Sequence, residues 1–159
     1  QIPLIKKKFL YAEDFAKAKL NDIFGSDKLQ KATTYLSYHF ANTLFINDGK
    51  GHFSPVNLPW QAQMTTYKTA LVTDANGDAL PDIILMGNFY ENNVQMGRYD
   101  ADYGLVLLNK GKGHLEPQVL NKYVAKGQVR HLVPLHIGKQ EAMLMVQNGD
   151  TTKVIQFVK

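Results

Sequence analysis

The chain has 159 residues, a length for one domain or a piece of a larger one, and its 45% hydrophobic and 20% charged composition fits a globular protein without low-complexity tracts. Its net charge of +4 comes partly from Lys6-Lys7-Lys8 and from lysines in turns, which leaves no continuous phosphate-tracking face and argues against a nucleic-acid partner. No apolar run approaches the ~20 residues that cross a bilayer, so membrane insertion is not expected, and the lack of cysteine excludes disulfides and thiolate zinc sites.

Residues 1–33 are expected to form an N-terminal extended and helical segment. Ile2 to Leu10 reads as an extended basic stretch, and the opening at Gln1 without Met reads as a cut from something longer. Phe15, Leu20, Ile23 and Phe24 then recur at near-helical spacing, with Asp14 as a cap, Gly25 as a stop and burial against a sheet as the expected fate of the stripe. A second short helix is predicted from Ser26 to Ala32. Beyond it, residues 34–159 turn β, in short aromatic and β-branched runs separated by Gly, Asn, Asp and Pro. The predicted strands are Thr34–Phe40, Thr43–Asn47, His52–Val56, Thr69–Thr73, Asp82–Gly87, Gly104–Leu108, His114–Val119, Val129–Leu135, Ala142–Gln147 and Lys153–Val158.

These strands repeat. Leu44-Phe45-Ile46-Asn47-Asp48-Gly49-Lys50-Gly51-His52-Phe53 matches Val106-Leu107-Leu108-Asn109-Lys110-Gly111-Lys112-Gly113-His114-Leu115 at an offset of 62 positions, and each reads as a hairpin with a glycine-rich turn. Val133 to Asn148 echoes Leu71 to Asn88 at a similar offset. Repeats of this kind predict a mainly β fold, a partial β-propeller of about two to three blades of antiparallel strands behind a short helical prefix. Two to three blades close no ring, so the partners expected are the remainder of its own propeller or other copies of the chain.

The stretch with most chemistry is Asp74-Ala75-Asn76-Gly77-Asp78-Ala79-Leu80-Pro81-Asp82. Side-chain oxygens fall at positions one, three, five and nine (Asp74, Asn76, Asp78, Asp82), and an apolar residue, Leu80, can offer its carbonyl at position seven. Alternate residues of a tight loop can aim several hard oxygens at one Ca²⁺, whereas three crowded carboxylates repel one another without a cation. Position twelve is Leu85 rather than Glu and a strand follows, so this is not an EF-hand. The alternative is a solvated Asx turn. In the third unit, His136, Gly138, Lys139 and Gln140 replace the acids, and no metal is expected there.

A second candidate is the long insertion between strands. Tyr90, Arg98, Tyr99, Asp100, Asp102 and Tyr103 could form a ligand-binding loop, with Arg98 forking onto a carboxylate and the tyrosines offering flat amphipathic rings to a glycan or protein ligand. Against this stands an internal role in which Arg98 pairs with Asp100, Asp102 or Glu91 and the tyrosines fill the rim. Trp60 reads as packing rather than a sugar platform, and the five histidines have no zinc spacing. No nucleophile elbow or phosphate loop is present, so no catalytic residue is assigned.

The acidic loop followed by Ile-Ile-Leu, together with the Leu-Phe-Ile-Asn-Asp-Gly-Lys-Gly-His-Phe hairpin, resembles the FG-GAP/VCBS repeats of integrin-α-like propellers. The order running from Lys7-Lys8-Phe9-Leu10 through Ile23-Phe24-Gly25 to Gly87-Asn88-Phe89-Tyr90 and Gly97-Arg98-Tyr99-Asp100-Ala101-Asp102-Tyr103-Gly104 is similar to the C-terminal part of bacterial VCBS-repeat proteins related to the ASPIC/UnbV and cartilage-acidic-protein group. The resemblance implies a structural Ca²⁺ held by Asp74, Asn76, Asp78, the Leu80 carbonyl and Asp82. It also implies a periplasmic, cell-surface or extracellular location. The function expected is a noncatalytic, calcium-stabilised scaffold for adhesion or for protein or glycan binding. The alternative is the C-terminal part of a propeller-type carbohydrate-active enzyme, a lyase or hydrolase, whose catalytic residues lie elsewhere.

Overall fold

The computed structural model describes residues 3–120 and 124–156. Two compact units divide the chain, Gln1–Phe40 and Ala41–Lys159.

The first unit carries four short helices: α1 (Pro3–Lys8), α2 (Ala12–Lys17), α3 (Leu20–Phe24) and α4 (Ser26–Gln30). The basic stretch expected to be extended is helical from Pro3. Proline suits the first turn, where its missing N–H has no helical partner anyway, and Lys6, Lys7 and Lys8 sit at the favourable negative end. The helix expected across Phe15 to Phe24 is broken in two, because Ala18 and Lys19 are extended and the Asp22 carboxylate accepts the Lys19 amide at 2.9 Å, restarting the helix at Leu20. Asp14 falls inside α2, whose N-cap is Tyr11, whereas Gly25 ends α3 at φ 84° as expected. The apolar stripe is not buried: Phe15, Leu20 and Phe24 are exposed. Thr34–Phe40, expected as a strand, has no regular structure, and Tyr35, Leu36, Tyr38 and Phe40 face solvent. Propensity alone does not make a strand; a neighbour must take its backbone hydrogen bonds.

The second unit is mainly β, with nine strands among the described residues arranged as three antiparallel sheets that close no barrel or ring. Among the described residues, β1 (Thr43–Asn47) pairs only with β2 (Phe53–Asn57). A 3-10 turn at Trp60–Gln63 leads into a four-stranded meander of β3 (Tyr67–Thr73), β4 (Asp82–Gly87), β5 (Leu105–Asn109) and β6 (Leu115–Val119). The third sheet holds β7 (Gln128–Ile137), β8 (Gln140–Asn148) and β9 (Lys153–Gln156); the expected end of the last strand, residues 157–158, lies outside the described residues. The remaining predicted strands form, Thr43–Asn47 and Asp82–Gly87 with the expected bounds and the others with ends moved by no more than two residues.

The repeat holds to the level of register. Thr43↔Asn57 through Asn47↔Phe53 is matched, pair for pair and 62 positions on, by Leu105↔Val119 through Asn109↔Leu115, with Pro55 and Pro117 at the same place. Each stem closes with the same backbone bond, Leu58 N–H to Asn42 O and Leu120 N–H to Gly104 O, both 3.2 Å. The β3–β4 and β7–β8 pairs share a bulge at equivalent places, between Tyr67 and Thr69 and between Val129 and His131. They differ in their connection, which is residues 74–81 in the second sheet and only Gly138 and Lys139 in the third.

Burial decides which strands matter most. Ile84 and Met86 of β4, Val106 of β5, Val129 of β7 and Met143 and Met145 of β8 share one core, with β3 packed beside β7 and the Leu132 amide donating to Thr69 Oγ1 at 3.1 Å. A smaller cluster of Ala62, Leu85, Leu105 and Leu107 fills the other face of the meander. β4 is therefore buried on both faces, which explains its unbroken apolar run Ile83-Ile84-Leu85-Met86.

Candidate functional site

The acidic loop connects β3 to β4 and is closed by its own amides. Asp74 Oδ1 accepts from Gly77 N at 2.6 Å and Asp78 N at 3.2 Å, and its Oδ2 accepts from Ala79 N at 3.1 Å. Asp78 Oδ1 accepts from Leu80 N at 2.8 Å, Asn76 Oδ1 from Asp78 N at 2.9 Å, and Asn76 Nδ2 donates to Asp78 Oδ2 at 2.8 Å. Gly77 and Ala79 take positive φ, which lets the chain wrap round the Asp74 carboxylate. Asp82 stands at the first position of β4 and is fully buried. One of its oxygens accepts from Ala75 N at 3.0 Å and the other from Asn109 N at 2.8 Å, so it ties the loop to the second hairpin.

Among the described residues no group of three or more His, Cys, Asp or Glu side chains is gathered as a metal site. The donor set nevertheless fits a hard cation by chemistry. It is all oxygen, it contains three carboxylates, and the buried Asp82 carboxylate is met by the neutral amides of Ala75 and Asn109.

The insertion between β4 and β5 is held by a buried polar clasp. Asn88, at φ 76°, donates from Nδ2 to Asp102 O at 2.9 Å and Gly127 O at 3.1 Å. Its Oδ1 accepts from Asp102 N at 3.0 Å and Thr65 Oγ1 at 3.1 Å. The Asp102 carboxylate accepts from Gly87 N at 2.8 Å and Gly104 N at 2.9 Å. Burial pushes the Asp102 carboxyl above its ordinary range, against the pull of those two amides. Beyond the clasp, Phe89 and Tyr99 form an antiparallel bridge through bonds of 2.8 and 2.9 Å. Gln128 Oε1 accepts from Tyr90 N and from Arg130, both at 3.0 Å, which fastens the loop to the third sheet.

The six residues expected as a ligand-binding loop do not converge. The Arg98 guanidinium lies 4.9 Å from the Tyr90 ring centre and so stacks on an aromatic face rather than pairing with Asp100, Asp102 or Glu91; Glu91 instead meets Arg130 at 3.6 Å and Asn148 at 2.8 Å. Asp100 and Tyr99 are exposed on the loop. Asp102 and Tyr103 line an open cleft of ≈ 490 Å³ between the 3-10 turn, the end of the insertion and β6. Its walls include Trp60, Met64, Tyr67 and Tyr103, and Trp60 is 69% exposed, so this ring is not in the core. Tyr67 donates its hydroxyl to Gln61 O at 3.2 Å, and burial together with the nearby Asp102 charge pushes its phenol upward. Gln61 lines the same cleft, and its Oε1 is buried without a hydrogen-bond partner. The sequence reading weighs Trp60 and assigns it to packing, and nothing in the local pattern of Tyr67 marks it; the 3-10 turn that carries Trp60 is tied to Asn42, whose backbone N–H and C=O bond the Gln63 side chain and whose Nδ2 donates to Ala62 O.

No protein-family model matches the chain, and no curated protein or solved structure matches it either. The resemblance to FG-GAP/VCBS repeats thus rests on the acidic loop and the hairpins themselves.

Proposed function

We propose that this chain is a noncatalytic segment of a calcium-stabilised β-propeller from an exported protein, a scaffold whose loops do the recognising. The observation that carries the reading is the register-for-register repeat of the hairpins at 62 positions, with β3 of one sheet packed beside β7 of the next. Blades stacked round an axis have this relation, each contributing its first strand to the inside.

Asp74, Asn76, Asp78, Asp82 and the Leu80 carbonyl would hold the ion. Its contribution is structural: it neutralises three carboxylates at the point where β4 enters the sheet. Asn76 and Asp78 would exchange their mutual hydrogen bond for it. The open cleft suits a sugar ring or an apolar peptide side chain stacked between Trp60 and Tyr103.

The test is calorimetric titration with Ca²⁺ and Mg²⁺, followed by thermal melting. An ion bound only by the folded chain stabilises it by about 2.7 kcal/mol at a hundredfold excess over Kd. Calcium is expected to raise the Tm of the wild-type chain and to leave Asp78→Ala unmoved. A melting temperature indifferent to calcium in both proteins, with no heat of binding, overturns the reading.

A further inference from the structure

Three aromatic rings and one carboxylate line the cleft beside the 3-10 turn. Trp60 comes from the turn, Tyr67 from the start of β3, and Asp102 and Tyr103 from the end of the insertion. Tyr67 is fixed by its hydroxyl bond to Gln61 O at 3.2 Å, and Asp102 by the amides of Gly87 and Gly104 at 2.8 and 2.9 Å. Those amides are neutral, and none of the lining residues is Lys, Arg or His. The Asp102 charge therefore acts on the cleft from a wall of low polarity, where it attracts a cation more strongly than it would in water. The chain's own cations stack elsewhere: Lys68, next to Tyr67, lies 5.2 Å from the Phe89 ring centre, and Arg98 lies 4.9 Å from that of Tyr90. Among the described residues, no cationic side chain lies over Trp60, Tyr67 or Tyr103.

We propose that this cleft binds a small-molecule quaternary ammonium ion, its methylated head among Trp60, Tyr67 and Tyr103 and its charge balanced by Asp102. The negative faces of the rings attract a cation stripped of water. Both Asp102 oxygens already accept amides and the residue is 3% exposed, so a primary ammonium or a guanidinium entering the cleft would leave donors without partners. A quaternary ammonium has no N–H to satisfy. The cleft, at ≈ 490 Å³, has the size of a small-ligand site. Its walls all fall within residues 60–119 and none belongs to β1 or β2, so strands that precede β1 in a longer chain add at an edge outside it. The inference rests on the cleft being a recognition site, as proposed above, and does not need the calcium ion.

The test uses the full chain and the emission of Trp60, its single tryptophan, as the reporter. Choline should change that emission saturably. It should bind at least tenfold more tightly than 3,3-dimethylbutan-1-ol, which has the same shape with carbon in place of the charged nitrogen. It should also bind at least tenfold more tightly than ethanolamine, which keeps the charge but carries N–H donors. Tyr103→Leu, at an exposed position, should weaken choline binding at least tenfold while the melting temperature holds. Equal binding of choline and either analogue would overturn the proposal, as would an emission that choline leaves unchanged or that glucose alone shifts. Co-sedimentation with phosphatidylcholine vesicles would overturn it too, by making a lipid head group the ligand. Choline binding in a chain whose melting temperature ignores calcium would uphold this inference and sink the calcium reading alone.

Discussion

Asn88 holds more of the fold than its size suggests. Its side chain serves four partners from a buried position in the left-handed region, where Asn is among the few residues at ease. Asn88→Ala should destabilise the chain by about 2–4 kcal/mol in urea melts, since it strands buried donors and acceptors. Asn88→Gly, which keeps the backbone conformation free of strain, should recover only a small part. Its neighbour Gly87 admits no side chain, because an added Cβ would stand 2.2 Å from the carbonyl oxygen of Thr66. Asp102 gives a pH test. Its pKa is raised in the folded chain, so the folded state holds the proton more tightly than the unfolded one. That contribution to stability is complete below the ordinary carboxylate value and is lost as pH rises through the raised one. The stability of wild type relative to Asp102→Asn should therefore fall as pH is raised from about 3.8, the ordinary value, through the folded-state value. Asp102→Asn should still be the less stable protein at neutral pH, since its amide group would turn N–H toward one of the two donors on Gly87 and Gly104.

At the level of elements, the two hairpins carry the same Asx turn with different surroundings. Asn47 Oδ1 accepts from Gly49 N at 2.8 Å and Asn109 Oδ1 from Gly111 N at 2.9 Å, but Asn109 Nδ2 also donates to Pro81 O at 3.1 Å. Asn109→Ala should cost about 1 kcal/mol more than Asn47→Ala, measured as the difference in midpoint between matched denaturant melts. The turns and most strands were legible because glycine, proline and alternating apolar residues act over a few positions. Thr34–Phe40 misled for the same reason: its aromatic and β-branched residues state a preference, and no partner strand answers it. The broken helix near Lys19 turned on one carboxylate reaching back three residues, a bond that apolar periodicity does not register. The acidic loop was legible in composition. Its closure by backbone amides, and the tie from Asp82 to Asn109 across 27 positions, were not.

For the molecule as a whole, one core joins the meander to the third sheet through Ile84, Met86, Val129, Met143 and Met145. Met145→Ala should cost about 2–5 kcal/mol, as removal of a fully buried side chain does. Amides of β4 and β8 should then exchange with a common free energy, lowered together in the variant. Those of α1 to α4 should exchange far sooner, because helices of five or six residues with no buried side chain are barely held. The repeat period was legible and so was the β class; which faces meet was not, since two methionines in β8 say nothing alone about the isoleucine they touch.

The clasp at Asn88 and Asp102 has one more consequence. With the Phe89–Tyr99 bridge it closes the base of the insertion, and residues 93–96 beyond it are all exposed, Val94 at 96%. What these apex positions spell is therefore uncoupled from whether the protein folds. They can drift under mutation, or be replaced with foreign peptide, while the stem presents each new version in the same pose.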